Sequence, residues 1–255
     1  MKKIINVFVG LLGYKIIRKF VEQKPNFIQN TVESKSNFLN GNVISPFDSV
    51  PFAGETLQFL IEKYEFDSVL DIGSGEGKHS DVLKKNGKKV TSIDYGRSIY
   101  FEKREENHYC IFGDYYEYKF DDKFDSIWAS HVLEHQPNPN LFLKKIYSDL
   151  KEGGILAITV PPLKHEIVGG HVTLWNAGLL IYQLILAGFN CKNISVKSYG
   201  YNISVILKKE SIISYPELHF DSGDIKKMLH FFPDNFTEPF NGDIKELNWN
   251  KTEEL

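Results

Sequence analysis

The stretch Val69-Leu70-Asp71-Ile72-Gly73-Ser74-Gly75-Glu76-Gly77 restricts the fold more than any other. An apolar run of strand length meets three alternating glycines, and a helical pattern follows over about 77–86. Glycine allows the tight turn and lets a ligand approach the backbone without meeting a Cβ. Around this unit the pattern keeps alternating. A helix is expected at GETLQFLIEKY (54–64), and strands at KKVTSIDYG, YCIFGD and DSIWAS (125–130). LFLKKIYSDL is helical, GGILAITVP is a strand and AGLLIYQLILAGF is helical again. Such βαβ order predicts an α/β fold, a parallel sheet covered by helices on both faces. CKNISVKSYG and YNISVILKKE then break the alternation as a hairpin turning at Tyr199-Gly200-Tyr201-Asn202, so the sheet should end in an antiparallel pair.

The loop's flanks select what it can hold. A dinucleotide fingerprint, G-x-G-x-x-G, would put its third glycine at position 78, where Lys78 stands. No G-x-x-x-x-G-K-S/T string occurs, which excludes a P-loop. Asp71 and Glu76 would repel a pyrophosphate and attract a ligand carrying ammonium and sulfonium charges, the pattern of S-adenosyl-L-methionine.

These residues resemble the class I S-adenosylmethionine-dependent methyltransferases over roughly 50–209. VLDIGSGEG is similar to the family's first motif, with Asp71, Gly73, Ser74 and Gly75 as cofactor contacts. Asp94, 21 residues after Gly73, resembles the ribose-binding acid, with Tyr95 beside it. Asp114 in FGDYYE resembles the adenine-edge acid, with Tyr115 beside it to face the ring. SHVLEH at 130–135 is similar to a common subgroup and implies Ser130 and His135 near the methionine end of the cofactor. The resemblance implies a Rossmann-like sheet of seven strands with the last one antiparallel, which agrees with the hairpin at 191–209.

Composition narrows the setting. Thirty basic against thirty-three acidic residues leave −3, no field for gathering nucleic acid. Cys110 and Cys191 are too few for a disulfide framework or a four-cysteine zinc site, and suit a cytoplasmic protein. Residues 1–24 hold six cations against Glu22, and 210–255 hold ten acids against four lysines. The opening MKKIINVFVGLLGY lacks a cleavage site and is shorter than a membrane span of ~20 residues. It reads as an amphipathic helix packing on the domain or a sister subunit in a homodimer, with weak membrane-surface contact as the lesser role. The expected organisation is a helical segment at 1–49, a cofactor-binding domain at 50–209 and an extension at 210–255, with one short helix at 223–231 capped by Ser222.

Histidine is the usual proton acceptor near neutral pH, and His131, His135, His165 and His171 fall on the expected ligand rim. His171, after Gly169-Gly170, is the first choice for general base and His131 the second. His131-Val132-Leu133-Glu134-His135 also matches the H-x-x-E-H peptidase string, but Pro137 and Pro139 stop the sustained helix that string needs. No metal is demanded, although a divalent ion holding a sugar diol is compatible. An acidic tail and the lack of an Asn-Pro-Pro-Tyr-like string disfavour nucleic acid and base nitrogens. The tail and the GGHVTLWN loop resemble bacterial capsule and lipopolysaccharide methyltransferases, which implies O-methylation of a nucleotide-linked or glycan-linked sugar. A capsular phosphoramidate, a quinone-type lipid and a non-catalytic S-adenosylmethionine-binding subunit are the alternatives.

Overall fold

A computed structural model of the protein describes residues 50–104 and 108–249 without a break, together with 38, 39, 42, 43, 45, 47 and 48. The amphipathic helix expected over 1–24 lies outside the described residues. Within 1–49 they show a small antiparallel ladder, β1 (Phe38–Leu39) with β2 (Asn42–Val43).

The chain then runs α1 (Gly54–Lys63), β3 (Ser68–Ile72), α2 (Lys78–Lys85), β4 (Lys89–Asp94), β5 (Ile111–Phe112) and β6 (Phe124–Ser130). It continues through α3 (Pro139–Asp149), β7 (Leu150–Val160), α4 (Ala177–Ala187), β8 (Ser195–Tyr199) and β9 (Asn202–Lys208). It closes with α5 (Asp224–Lys227) and β10 (Glu246–Leu247). The large sheet has the order β10-β8-β9-β7-β6-β3-β4-β5. Pairs from β5 through β7 are parallel, while β7–β9, β9–β8 and β8–β10 are antiparallel. The predicted Rossmann-like sheet with a reversed end is therefore present, widened by one strand.

Side-chain alternation along the strands builds a core on each face. Ile127, Leu156, Ile158 and Val160 face the cluster that includes α3 and α4 residues. Trp128, Ile155 and Ala157 face the other, with Leu57 and Leu60 of α1 and Leu83 of α2. Asn138 and Asn176 cap α3 and α4 by accepting from Leu141 N and Leu179 N. Pro139, expected to stop a helix, instead starts α3 at its first turn, where its missing N–H costs nothing.

Two tail expectations are corrected. Residues 210–255 do not all lie beyond the sheet, because Glu246–Leu247 return to β8 and Trp249 stacks on Phe59 at 4.4 Å. Ser222 does not cap the short helix. The carboxylate of Glu238 accepts from Gly223 N and Lys226 N and does that work across the tail. No described helix is long and apolar enough to cross a membrane.

Candidate functional site

Because β3 to β7 run parallel, their carboxyl ends share one edge, where open α/β sheets bind ligands. The glycine loop leaves β3 there. Gly73, Gly75 and Gly77 have φ of 72°, 52° and 86°, the left-handed region that side chains avoid. A Cβ at Gly73 would stand 2.4 Å from Val132, and one at Gly77 2.5 Å from the His108 ring. Gly73 N donates to Ile93 O at 2.8 Å, which pins the loop to β4.

Asp94, at the last position of β4, faces this loop. Its Oδ2 accepts from Gly75 N at 2.8 Å and its Oδ1 from Gly96 N at 2.7 Å. Each carboxylate oxygen retains a lone pair for a further donor. Ser74 Oγ lies 3.4 Å from Cys110 Sγ. Asp114 follows β5, and its Oδ1 accepts from Tyr116 N. Tyr95 is exposed beside Asp94, with the Arg97 guanidinium over its ring at 4.6 Å. Ser130 ends β6 with a buried hydroxyl that has no hydrogen-bond partner among the described residues.

Two expected contacts are corrected. Asp71 is not a charge presented to the ligand, since it is 1% exposed and its carboxyl accepts from Ser80 Oγ at 2.5 Å. Burial pushes its pKa up to about 7. It ties β3 to α2, and Ser80 in turn meets Ser92 Oγ on β4 at 2.7 Å. Tyr115 does not face outward for adenine. Its ring is buried against Phe142 and its hydroxyl donates to Asp149 on α3. A second exposed ring at this corner, besides Tyr95, is Phe112, 68% accessible and seated over Gly96. The signal for it was present in the sequence as an aromatic closing β5 just before Gly113-Asp114.

Histidines gather at the β6 end. His131 has φ 55° and donates from Nε2 to Asn202 Oδ1, 2.9 Å away. Its ring meets Phe52 at 4.5 Å and Tyr201 at 6.0 Å. Leu133–His135 form a single 3₁₀ turn, so the peptidase string lacks its helix. The loop 161–176 is strapped over this turn, with Val172 N and Thr173 N both donating to Glu134 O. His135 Nδ1 lies 2.7 Å from Gly170 O, and the His135 and His171 rings meet edge to face at 5.1 Å. Burial holds the His171 pKa below the usual imidazole value, which favours the neutral ring. His165 is exposed farther out on the loop. Phe52, Tyr201 and Asn202 were not identified as site residues, because only the folded chain brings the segment before α1 and the β8–β9 turn to this edge.

The methyltransferase-domain family matches residues 48–185, over half the chain. The chain belongs to that family. The methyltransferase is 35% identical over 105 residues to the ubiquinone biosynthesis O-methyltransferase of Glaesserella parasuis, covering 36% of this chain and 44% of that one. It is 32% identical over 110 residues to the malonyl-[acyl-carrier protein] O-methyltransferase of Calditerrivibrio nitroreducens, covering 41% and 44%. The chain thus spans less than half the length of these curated relatives. A solved protein of Pyrococcus horikoshii has the same fold, with a TM-score of 0.50 at 20% identity over 61% of this chain and 89% of the other.

The cofactor of the methyltransferase is S-adenosyl-L-methionine. The residues present fit it. A Cβ-free cradle adjoins a carboxylate with spare lone pairs, which suits ribose hydroxyls, and Glu76 is already paired with Lys78. Asp94 and Asp114 at the rim would oppose a diphosphate.

Proposed function

We propose that the methyltransferase methylates a hydroxyl of a small acceptor, with a sugar of bacterial capsule or surface-polysaccharide synthesis, nucleotide-linked or glycan-linked, as the first choice. The observation that carries the oxygen acceptor is the histidine group His131, His135 and His171 around buried Glu134 at the end of β6. S-adenosylmethionine, when bound, supplies a methyl carbon already activated by sulfonium. The chain's part is to align the acceptor, exclude water and assist loss of the hydroxyl proton.

Asp94 would hold the ribose, Asp114 the adenine edge and Phe112 one adenine face. Ser130, with its unpaired hydroxyl, would meet the methionine end. On the acceptor side, Phe52 and Tyr201 offer ring faces suited to the C–H faces of a sugar. Lys164 on the covering loop, 4.5 Å from the Tyr201 ring centre, offers a cation to a linked phosphate. The second reading is a quinone-type phenol or an acyl-carrier carboxylate, which the relatives' names favour.

Incubation with S-adenosylmethionine and nucleotide sugars, phenolic quinone precursors or malonyl-carrier protein tests these readings by mass spectrometry of the acceptor. Addition of one methylene to a nucleotide sugar supports the first choice, and addition only to a phenol or carboxylate replaces it with the second. Replacing His171 by Ala should lower turnover by about 100-fold or more while S-adenosylhomocysteine affinity stays within about twofold. Unchanged turnover would remove His171 from acceptor activation.

A further inference from the structure

Glu134 is completely buried, yet neither carboxylate oxygen accepts a hydrogen bond among the described residues. An unpaired buried carboxylate costs several kcal/mol of lost hydration, on the order expected for any desolvated charge. What faces Glu134 narrows what can pair with it. His135 Nδ1 sits 2.7 Å from a backbone carbonyl, Gly170 O, which can only accept. Nδ1 therefore carries the proton, and the neutral ring turns its lone pair at Nε2 toward Glu134 Oε1, 3.7 Å away. His131 Nδ1 stands 3.4 Å from the same oxygen. One oxygen thus collects imidazole nitrogens that have no proton to give it when neutral.

Two acceptors confronting each other call for a positive charge between them. A histidine whose second nitrogen donates to a backbone carbonyl is the usual arrangement of a metal ligand, because that bond fixes the tautomer and the ring plane. His171 completes the set. One ligand atom from each of Glu134, His135 and His171 lies within 4.8 Å of the others. Ligand atoms sharing an ion at about 2.1 Å stand roughly 3–4 Å apart, so side-chain adjustment on the His171 loop suffices.

We propose that Glu134, His135 and His171 bind a divalent cation of the borderline class, Mn²⁺, Co²⁺, Fe²⁺ or Zn²⁺, at the acceptor side of the cleft. Two histidines and one carboxylate leave open positions, as in facial sites that take an exogenous oxygen ligand. Those positions suit a chelating pair of acceptor oxygens, such as a vicinal diol. This last step rests on the proposed O-methyl transfer, whereas cation binding does not. A hydroxyl ligated there releases its proton to water more readily, and His171 then serves as ligand rather than as the proton's destination.

Chelator-treated full-length protein, without donor or acceptor, is titrated with Co²⁺ and followed by visible absorption, and with Mn²⁺ by calorimetry. One equivalent should bind, with nitrogen-ligated Co²⁺ bands. His171→Ala, a loop change that spares the core, and Glu134→Gln should each weaken binding at least tenfold. No binding at millimolar cation would overturn the site, as would equal binding by the wild type and His171→Ala. S-adenosylhomocysteine binding is measured on the same samples. Its retention without cation binding sinks only the metal site, and the converse sinks only the methyl-transfer reading.

Discussion

Asp94 and Asp71 sit near the same glycine loop and do opposite work. Asp94 accepts two backbone amides at the carboxyl edge of the sheet and keeps a lone pair on each oxygen for a further donor. Asp71 is sealed in, with its pKa near 7 because burial disfavours the charged form. In the folded protein Asp71 holds its proton well above the pH at which an unfolded aspartate releases it. Stability from this group is therefore full below about pH 4 and declines as pH rises toward 7. Asp71→Asn should remove that decline, so thermal unfolding across pH 4–8 should show a flatter profile for the variant. The difference should reach up to about 4 kcal/mol at the alkaline end, less any loss at Ser80. Parallel profiles would contradict the assignment. The place of Asp94 at the end of β4 was legible from the family resemblance and the strand pattern together, since a strand end fixes which residue emerges at the edge. Tyr115 was not, because adjacency to Asp114 does not say which of two neighbouring tyrosines the turn after β5 directs inward. The chain sends Tyr115 to Asp149 and leaves Phe112 exposed.

The β3–loop–α2 unit depends on backbone shape more than on side chains. Gly73 combines φ of 72° with a Val132 methyl where its Cβ would go. Gly73→Ala should cost about 3 kcal/mol from the left-handed backbone and the overlap together. That lowers Tm by roughly 6–12 °C in a chain of this size and weakens S-adenosylhomocysteine binding as well. A variant with wild-type Tm and affinity would show that the loop relaxes freely. Most strands and helices of this domain were readable because their apolar pattern extends over several residues, and two-residue β5 because it lies inside the apolar run YCIFGD. β7 and β9 are apolar runs and α4 is a helix-length one, and their places follow. Two-residue β10 carries no period of its own. Its position is set by pairing with β8, which sequence pattern does not encode.

At the scale of the whole molecule, distant segments close around the sheet. Trp249 lies against α1 in the core opposite α3 and α4, buried and stacked on Phe59. Trp249→Ala should destabilise by about 3–5 kcal/mol, read by denaturant unfolding, and leave donor affinity unchanged. A neutral result would mean that the tail's return to the sheet contributes nothing. The meeting of Glu134 with His171 is likewise a property of the folded chain. The sequence marked His171 as a rim residue and Glu134 only as a member of the 131–135 string, and it is the strap of Val172 and Thr173 onto the Glu134 carbonyl that brings them together. The central claim, that this edge is built for S-adenosylmethionine, is tested most directly by calorimetry of the purified protein with S-adenosylhomocysteine and with NADH. The account predicts one-to-one binding of S-adenosylhomocysteine, weakened at least tenfold in Asp94→Ala, and no heat with NADH. Binding of NADH, or an affinity for S-adenosylhomocysteine indifferent to Asp94, would contradict it.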